Sequence, residues 1–477
     1  MKIPKSNFSE WYNTIIKEAE LCDLRYNLKG FIVFMPWAVL SMDKMYSVYE
    51  KEMQKRDHVP ALFPALINEA NLKSESEHVE GFIPEVFWVT EAGGNKLEEK
   101  YAMRPTSETA MYPMYALWVK GLKDLPIKLY QRCQVWRYET KATKPFIRSR
   151  EFHWIEAHNA FATEKEALDQ IKEDMEISEE LVHKQFGVPF LFFRRPQWDK
   201  FAGAVDTYAA DSLMPDGKVL QLPSTHFLGQ NFAKAFKLQY MDEKGNQEFA
   251  WQTCYGPCIS RIYAAIFSTH GDDKGLVLPF DIAPVQIVIV PIFKENNKSK
   301  VLKKAKEIKE SLKNYSVKLD DSDNSPGFKF NHWELKGVPF RIEIGERDME
   351  NSSVILVRRD ELKKNQIKEK DLLKTIEKES QEMIKNLRSK SDKWFKELIH
   401  SADSIKDLNN ELKKGGFVKI PFCTDQDEGE KCADKIKEET KSNVRGTLYG
   451  SKDSPKNKKC IACGKKAVVF VYTGRQY

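Results

Sequence analysis

Cysteine is scarce in this chain: eight residues in 477 are too few to staple a protein of 55.4 kDa with disulfides. Four of them, Cys22, Cys133, Cys254 and Cys258, are scattered, and the other four crowd between Cys423 and Cys463. That distribution fits a reducing compartment, with the last four as metal ligands, and a cytoplasmic location is expected. Long apolar runs are also missing. No stretch reaches the roughly 18 apolar residues of a membrane-spanning helix, so no membrane partner is expected. The first residues, MKIPKSNFSEWY, lack the continuous apolar core of a signal peptide. Charge of one sign is lacking too, since 76 basic and 70 acidic residues leave only +6. That balance fits a nucleic-acid binder and an ordinary soluble enzyme equally well. There is no internal repeat.

Apolar material is ample, at 41% of residues with 28 Phe, and the length suits about two to four domains. Phe8, Trp11, Ile15, Ala19 and Cys22 recur at helical spacing and predict a helix over 8–22. A second helix is expected over 41–56, followed by an apolar strand, VPALFPALI. A mixed region continues to about residue 283, with a charged helix over 165–185 and strands around LYQRCQVWRYE and FHWIEAHNAF. Beyond it, VQIVIVPI, a helix over 299–313, VPFRIEIG and SVILVRRD alternate as in a small α/β domain. The Lys/Glu-rich stretch 361–414 carries Leu373, Ile376, Ile384, Leu387, Trp394 and Leu398 as the stripe of an amphipathic packing helix. The expected divisions are 1–283, 284–385 and 386–477, in a multidomain α/β (α+β) chain.

The segment RYETKATKPFIRSREF places Arg137 and Glu139 two apart, on one face if this is a strand, then a polar loop, then Arg148, Ser149 and Phe152. A lone Arg-x-Glu carries little weight, and an exposed hairpin with ordinary salt bridges is the plain alternative. The full pattern resembles motif 2 of class II aminoacyl-tRNA synthetases. The resemblance implies that Arg137 holds the α-phosphate of ATP and the amino-acid carboxylate together. It further implies that Arg148 binds the γ-phosphate, that Phe152 stacks on adenine, and that Glu139 and Ser149 lie near the nucleotide. These residue types suit the chemistry, because charge grows on the phosphate as the carboxylate attacks. The helix over 41–56 followed by Pro64 is similar to motif 1, which builds a homodimer interface in that class. YGPCISRIYAAI supplies Gly256, Ser260 and Arg261 for motif 3, with Arg261 across the adenine from Phe152; the alignment of Cys258 and Ile259 stays open.

The blocks MRPTSETAMYPMY, HWIEAH, KFAGA and QLPSTHFLGQNFAKAF narrow the resemblance to prolyl-tRNA synthetases. It implies an antiparallel-sheet catalytic domain whose proline pocket is lined by Thr106, Glu108, Arg137, Trp154, Glu156, Phe201 and His226. It also implies ATP with Mg²⁺, the metal contacted through Gln221 and the nucleotide through Ser224. Proline is a cationic secondary amine with a compact apolar ring, so a carboxylate such as Glu108 and aromatic walls such as Trp154 and Phe201 fit it. Gln221 is out of phase with Ser224 and His226, so a bend at Pro223 is needed to align it.

Residues 284–385 resemble the anticodon-binding domain of class IIa synthetases, which implies tRNA(Pro) as partner. Glu334, Lys336, Glu343 and Arg347 are the candidate base contacts. Phe330 and Trp333 stand equally as stacking platforms or core residues. Cys423, Cys432, Cys460 and Cys463 suit tetrahedral Zn²⁺ in a small C-terminal α/β domain, with buried free thiols as the alternative. That module is similar to the C-terminal zinc domain of archaeal and eukaryotic-type prolyl-tRNA synthetases, whose final Tyr, here Tyr477, tucks its carboxylate toward the catalytic domain. Phe152 and Gly256 lie too close in sequence for the large editing insertion of the bacterial type. A threonyl enzyme would need zinc ligands in its amino-acid pocket, which Thr106, Glu108 and Trp154 do not offer. A non-catalytic tRNA-binding paralogue would not need three phosphate-clamping arginines.

Overall fold

A computed structural model describes residues 4–76 and 86–477. An eleven-stranded sheet dominates it. From one edge, the strands Val59–Pro60, Ile127–Trp136, Glu151–Phe161, Trp251–Gly256, Val219–Gly229, Asp206–Leu213 and Leu191–Arg194 follow in spatial order. All pairings are antiparallel except the short edge strand, which runs parallel to Ile127–Trp136. The sheet then continues without a break into the C-terminal region, where Asn443–Leu448 pairs with Leu191–Arg194 through Thr447↔Arg194 and Leu448↔Phe193. Gly446 makes this junction: its φ is +124°, and a Cβ there would run into the Arg194 carbonyl oxygen.

The helix Ile259–His270 passes behind the sheet, and Ile259, Ser260 and Ile262–Ser268 are all buried. A helix apolar on every side belongs in a core, and Arg261 is the exception in its first turn. Pro36–Gln54 packs against it and begins five residues earlier than its apolar spacing suggests, because Pro36 occupies the first helical position where no N–H is needed. The first helix is Phe8–Glu18, and Cys22 has already entered a short strand. VPALFPALI is not one strand: it splits into Val59–Pro60 and Leu66–Asn68 on different sheets, since two prolines cannot continue a ladder. The charged helix is α-helical over Glu164–Ser178, capped by Thr163 and Glu166, and then widens to a π-helix over Glu179–Gln185.

A separate five-stranded sheet runs in the order Val317–Leu319, Ile287–Pro291, Phe340–Ile344, Ser353–Arg358 and Lys364–Lys368. The Lys/Glu-rich stretch 361–414 is not one helix: the long helix is Leu372–Glu397, preceded by the strand Lys364–Lys368 and followed by a short strand, Ile399–Ser401, and a short helix, Ile405–Glu411. The buried stripe of the long helix is Leu372, Ile376, Met383, Leu387 and Phe395. Leu373 is exposed, and Ile384 and Trp394 are only half-buried, so the true face is turned by about one residue from the expected one.

Candidate active site

The concave face of the large sheet holds a cavity of about 670 Å³. Thr106, Glu108, Arg137, Phe152, Trp154, Glu156, Phe201, Gln221, Ser224, His226 and Arg261 all line it. A smaller hollow of about 150 Å³ shares Arg137, Phe152 and Arg261 with it and adds Glu139, Arg148 and Ser149. Ser260 lines neither; it is buried under the helix start, 3.5 Å from the Cys258 sulfur. Motifs scattered from Thr106 to Arg261 thus converge on one site.

Glu108 opens the helix Glu108–Trp118, where the helix dipole favours a carboxylate, and it accepts a hydrogen bond from Thr106. Glu156 is buried and already engaged: it accepts from the Ser107 N–H and hydroxyl, from Gln131 Nε2 at 2.8 Å, and meets His158 Nε2 at 3.1 Å. Burial alone would raise its pKa, but His158 and these donors hold it well below the usual carboxylate range. Glu156 therefore acts as the holder of Ser107 and His158 rather than as a free partner for a substrate. His158 stands between two buried carboxylates, with Nδ1 3.9 Å from Glu108. Burial opposes its charge, yet Glu108 and Glu156 together raise its pKa. Two buried carboxylates, Glu108 and Glu156, thus flank one imidazole on this side of the cavity.

The apolar side of the cavity is Trp154 and Phe201. Gly256 lies against the Trp154 ring, and a Cβ there would come within 3.4 Å of it. His226 is 4.7 Å from Phe201 between ring centres, with Nδ1 2.9 Å from Thr207 and Nε2 3.1 Å from Ser224. Burial, followed by the charges of Arg195, His158 and Arg137, pushes its pKa down to about 3, so the ring is neutral.

Arg137 corrects the expected strand: Ile127–Trp136 ends one residue before it, so Arg137 and Glu139 sit on the loop rather than on one strand face. The Arg137 Nε donates to the Pro105 carbonyl at 3.0 Å, and its guanidinium lies 5.4 Å from the Phe152 ring and 5.6 Å from Trp154. Arg148 approaches Glu139 at 3.6 Å and donates to the main-chain oxygen of Tyr477. Arg261 donates to the carbonyls of Ile147 and Gln221 at 3.2 and 3.1 Å. The bend required at Pro223 is present as a β-bulge: Ala209 pairs with Ser224 and Asp211 with Gln221, so one extra residue restores Gln221 to the pocket face.

Several cavity residues escaped the sequence reading. His158 and Cys254 line it, and His158 is two residues from Glu156 on the same strand, a spacing that HWIEAH displayed. Thr106, Glu108 and Trp154 were not expected to make up a zinc site, and in the structure it is His158 and Cys254 that join Glu108, with one ligand atom from each within 4.8 Å of the others. Arg195 donates to Gln221 at 3.0 Å and pairs with the fully buried Asp211 at 2.7 Å. Arg445 and Gln476, from the C-terminal region, also line the cavity, and Arg445 pairs with the same Asp211 at 2.7 Å. No local signal in the sequence links residues this far apart.

The anticodon candidates fare differently. Glu334 pairs with Arg341 at 2.7 Å, Glu343 with Arg341 at 3.0 Å and Lys364 at 2.6 Å, and Lys336 with Glu20 at 2.5 Å. These three are buried, so an incoming base would have to displace their partners; Arg347 is exposed. Phe330 and Trp333 are half-buried and pack on Val288, Val290 and Val338.

Cys423, Cys432, Cys460 and Cys463 bring their sulfurs to within 4.8 Å of one another, and Cys423 and Cys432 are 3.6 Å apart. Sulfurs about 2.3 Å from a tetrahedral zinc lie about 3.8 Å apart, so the four fit that ion. The wide first spacing is explained by structure: Cys423 directly follows the strand Phe417–Phe422, and Cys432 lies in the first turn of the helix Glu430–Thr440.

Known proteins match this arrangement along its length. Residues 87–270 match the tRNA synthetase class II core domain (G, H, P, S and T), 286–379 the anticodon binding domain, and 405–477 the prolyl-tRNA synthetase C-terminal domain. The chain is 49% identical over 476 residues to the proline–tRNA ligase of Thermofilum pendens, covering 99% of this chain and 98% of that one. It is 42% identical over 477 residues to the proline–tRNA ligase of Pyrococcus abyssi, again covering 99% and 98%. Among solved structures, Giardia lamblia prolyl-tRNA synthetase in complex with prolyl-adenylate matches with a TM-score of 0.95 at 36% identity, over 100% of this chain and 99% of the other. With identity of this order across all three matched regions, the chain belongs to the prolyl-tRNA synthetase family.

Proposed function

We propose that this chain activates L-proline with ATP to prolyl-adenylate, releasing diphosphate, and then transfers proline to the 3′ end of tRNA(Pro), releasing AMP. One observation carries the reading. A pocket with the buried carboxylates Glu108 and Glu156 on one side, beside Trp154 and Phe201, adjoins a row of arginines, Arg137, Arg148 and Arg261. The first half suits a secondary ammonium beside an apolar ring, and the second suits phosphates.

In this reading Glu108 accepts from the proline ammonium, while Trp154 and Phe201 enclose the ring and Thr106 and His226 complete the walls. Glu156 holds His158 in place. Arg137 lies between the two halves and draws the proline carboxylate toward the α-phosphate. Its charge, with that of Arg261, stabilises the oxyanions that form as diphosphate leaves. Phe152 and Arg261 sandwich adenine, Arg148 takes the γ-phosphate, and Glu139, Ser149 and Ser224 flank the nucleotide; Ser260 supports the turn from below. Magnesium, when bound with ATP, neutralises phosphate charge. The Gln221 side-chain oxygen faces that region and keeps one lone pair beyond its bond to Arg195. No covalent nucleophile is required, and positioning and charge do the work.

The C-terminal four-cysteine cluster is assigned to structural Zn²⁺, and Arg347, on the short helix Glu346–Glu350 that follows the strand Phe340–Ile344, to anticodon contact. The edge strand Val59–Pro60, with Val59 and Leu62 exposed, is assigned to a homodimer face. Among the described residues no helix is long and apolar enough to cross a membrane, and a cytoplasmic location is our reading. Incubation with ATP, labelled proline and tRNA(Pro) transcript should give acid-precipitable label. Failure to charge that transcript, with charging of another, would overturn the substrate assignment.

A further inference from the structure

The proline pocket contains a second set of side chains whose chemistry points beyond an amino acid. Three neighbouring strands place His226, Cys254 and His158 in one cross-strand row, through His226↔Cys254 and Cys254↔His158. Facing pairs of this kind bring side chains together on one face of a sheet. The two nitrogens of His226 are occupied by Thr207 and Ser224. His158 differs. Its Nε2 is held by Glu156 at 3.1 Å, and its Nδ1 has no hydrogen-bond partner among the described residues although the side chain is 1% exposed. That nitrogen is aimed at the Glu108 carboxylate, 3.9 Å away, a distance too long for a hydrogen bond. Cys254 completes the group, with all three ligand atoms within 4.8 Å of one another and all three residues buried.

We propose that a borderline divalent cation of the Zn²⁺ class binds inside the proline pocket on Glu108, His158 Nδ1 and Cys254 Sγ, and that it excludes proline. Thiolate, imidazole and carboxylate together select such an ion over Mg²⁺ or Ca²⁺, which take oxygen ligands. The Glu156–His158 bond is the outer contact that commonly orients a ligating histidine, with Nε2 fixed and Nδ1 directed to the metal. The Glu108 carboxylate that accepts from an ammonium can equally ligate a cation. Ligands about 2.0–2.3 Å from a tetrahedral zinc stand about 3.3–3.8 Å apart, so binding draws His158 Nδ1 and Glu108 slightly inward from their 3.9 Å. Burial keeps Cys254 a thiol and a ligating Nδ1 must carry no proton, so uptake releases the Cys254 proton together with any proton held on His158 Nδ1. The metal then occupies the place assigned above to the proline ammonium, so the competition rests on that assignment while the ligand set does not.

Cobalt is the probe. The full-length protein is first given one equivalent of Zn²⁺ to fill the four-cysteine cluster, which Co²⁺ does not displace because zinc binds more tightly. Co²⁺ is then titrated in while the thiolate-to-cobalt absorption is followed. The expected result is one further cobalt per chain with a single-thiolate band, lost in Cys254→Ala and suppressed in the wild-type protein by saturating proline. No further cobalt, or a band unchanged in Cys254→Ala, would overturn the proposal, as would a band indifferent to proline in protein that carries out proline-dependent pyrophosphate exchange. The proline arm uses wild-type protein and so stands even if the variant folds poorly. The same exchange assay without cobalt tests the assignment of proline itself, so failure of the two readings can be told apart.

Discussion

The carboxylate of Glu156 is engaged by Ser107, Gln131 and His158, whereas Glu108 meets Thr106 and the Cys254 thiol and lines the cavity. The two residues read alike in the sequence, as acids within pocket motifs, and only the hydrogen-bond census separates them. The distinction predicts different kinetics. Glu108→Ala should raise the KM for proline by about tenfold to a hundredfold, the weight of one lost charge-assisted hydrogen bond of about 1.5–3 kcal/mol, and leave the KM for ATP nearly unchanged. Equal changes in both constants would remove Glu108 from the proline site. Arg137→Ala should instead lower exchange by about two to three orders of magnitude in a folded protein, as expected for a preorganised charge stabiliser. Near-normal exchange would contradict its role. Residues such as Trp154, Phe201 and Arg261 were legible because each lies within a dense motif. Cys254 was not, because its meaning comes from the strands beside it.

At the scale of elements, what the sequence displayed well was periodicity, and what it concealed was where periodicity stops. Arg137 and Glu139 have strand spacing, yet the ladder ends at Trp136 and the two project from a loop, which frees Arg137 to reach Pro105 and the aromatic rings. Pro223 was the reverse case. Its lack of an N–H makes a regular ladder costly, and the phase conflict between Gln221 and Ser224 could be resolved only by a bulge. The four-cysteine module shows the limit of spacing rules: Cys423 and Cys432 look too far apart until a strand end and a helix start fold them together. Metal analysis of reduced, purified protein should therefore find about one zinc per chain bound by these thiolates. Cys460→Ser/Cys463→Ser should lose it, and wild-type protein without metal would refute the assignment.

Across the whole molecule, the eleven-stranded sheet carries C-terminal strands to the edge of the catalytic pocket and fastens them with buried charge. Asp211 is fully buried between Arg195 and Arg445, and their charges hold its pKa down against burial. Through this carboxylate, Gln221 and Gln476 become neighbours of one cavity although Gln476 lies at the far end of the chain. Such long-range contacts leave no local pattern, so Arg445 and Gln476 were not legible, whereas the division into α/β elements was, and the approach of Tyr477 to the catalytic domain came only from the family resemblance. Asp211→Asn keeps the size and removes the charge, leaving two buried guanidinium groups facing each other. It should cost about 3–5 kcal/mol in denaturant unfolding and lower exchange activity together, since both arginines line the site. A variant with unchanged midpoint and activity would show that the junction is held by the strands alone. The central claim is that this pocket selects proline for activation by ATP, and ATP–pyrophosphate exchange measured separately with each of the twenty amino acids tests it most directly. Proline should give the highest kcat/KM, with exchange lost in Arg137→Ala; a higher value for threonine or any other amino acid, or no exchange with proline, would contradict the account.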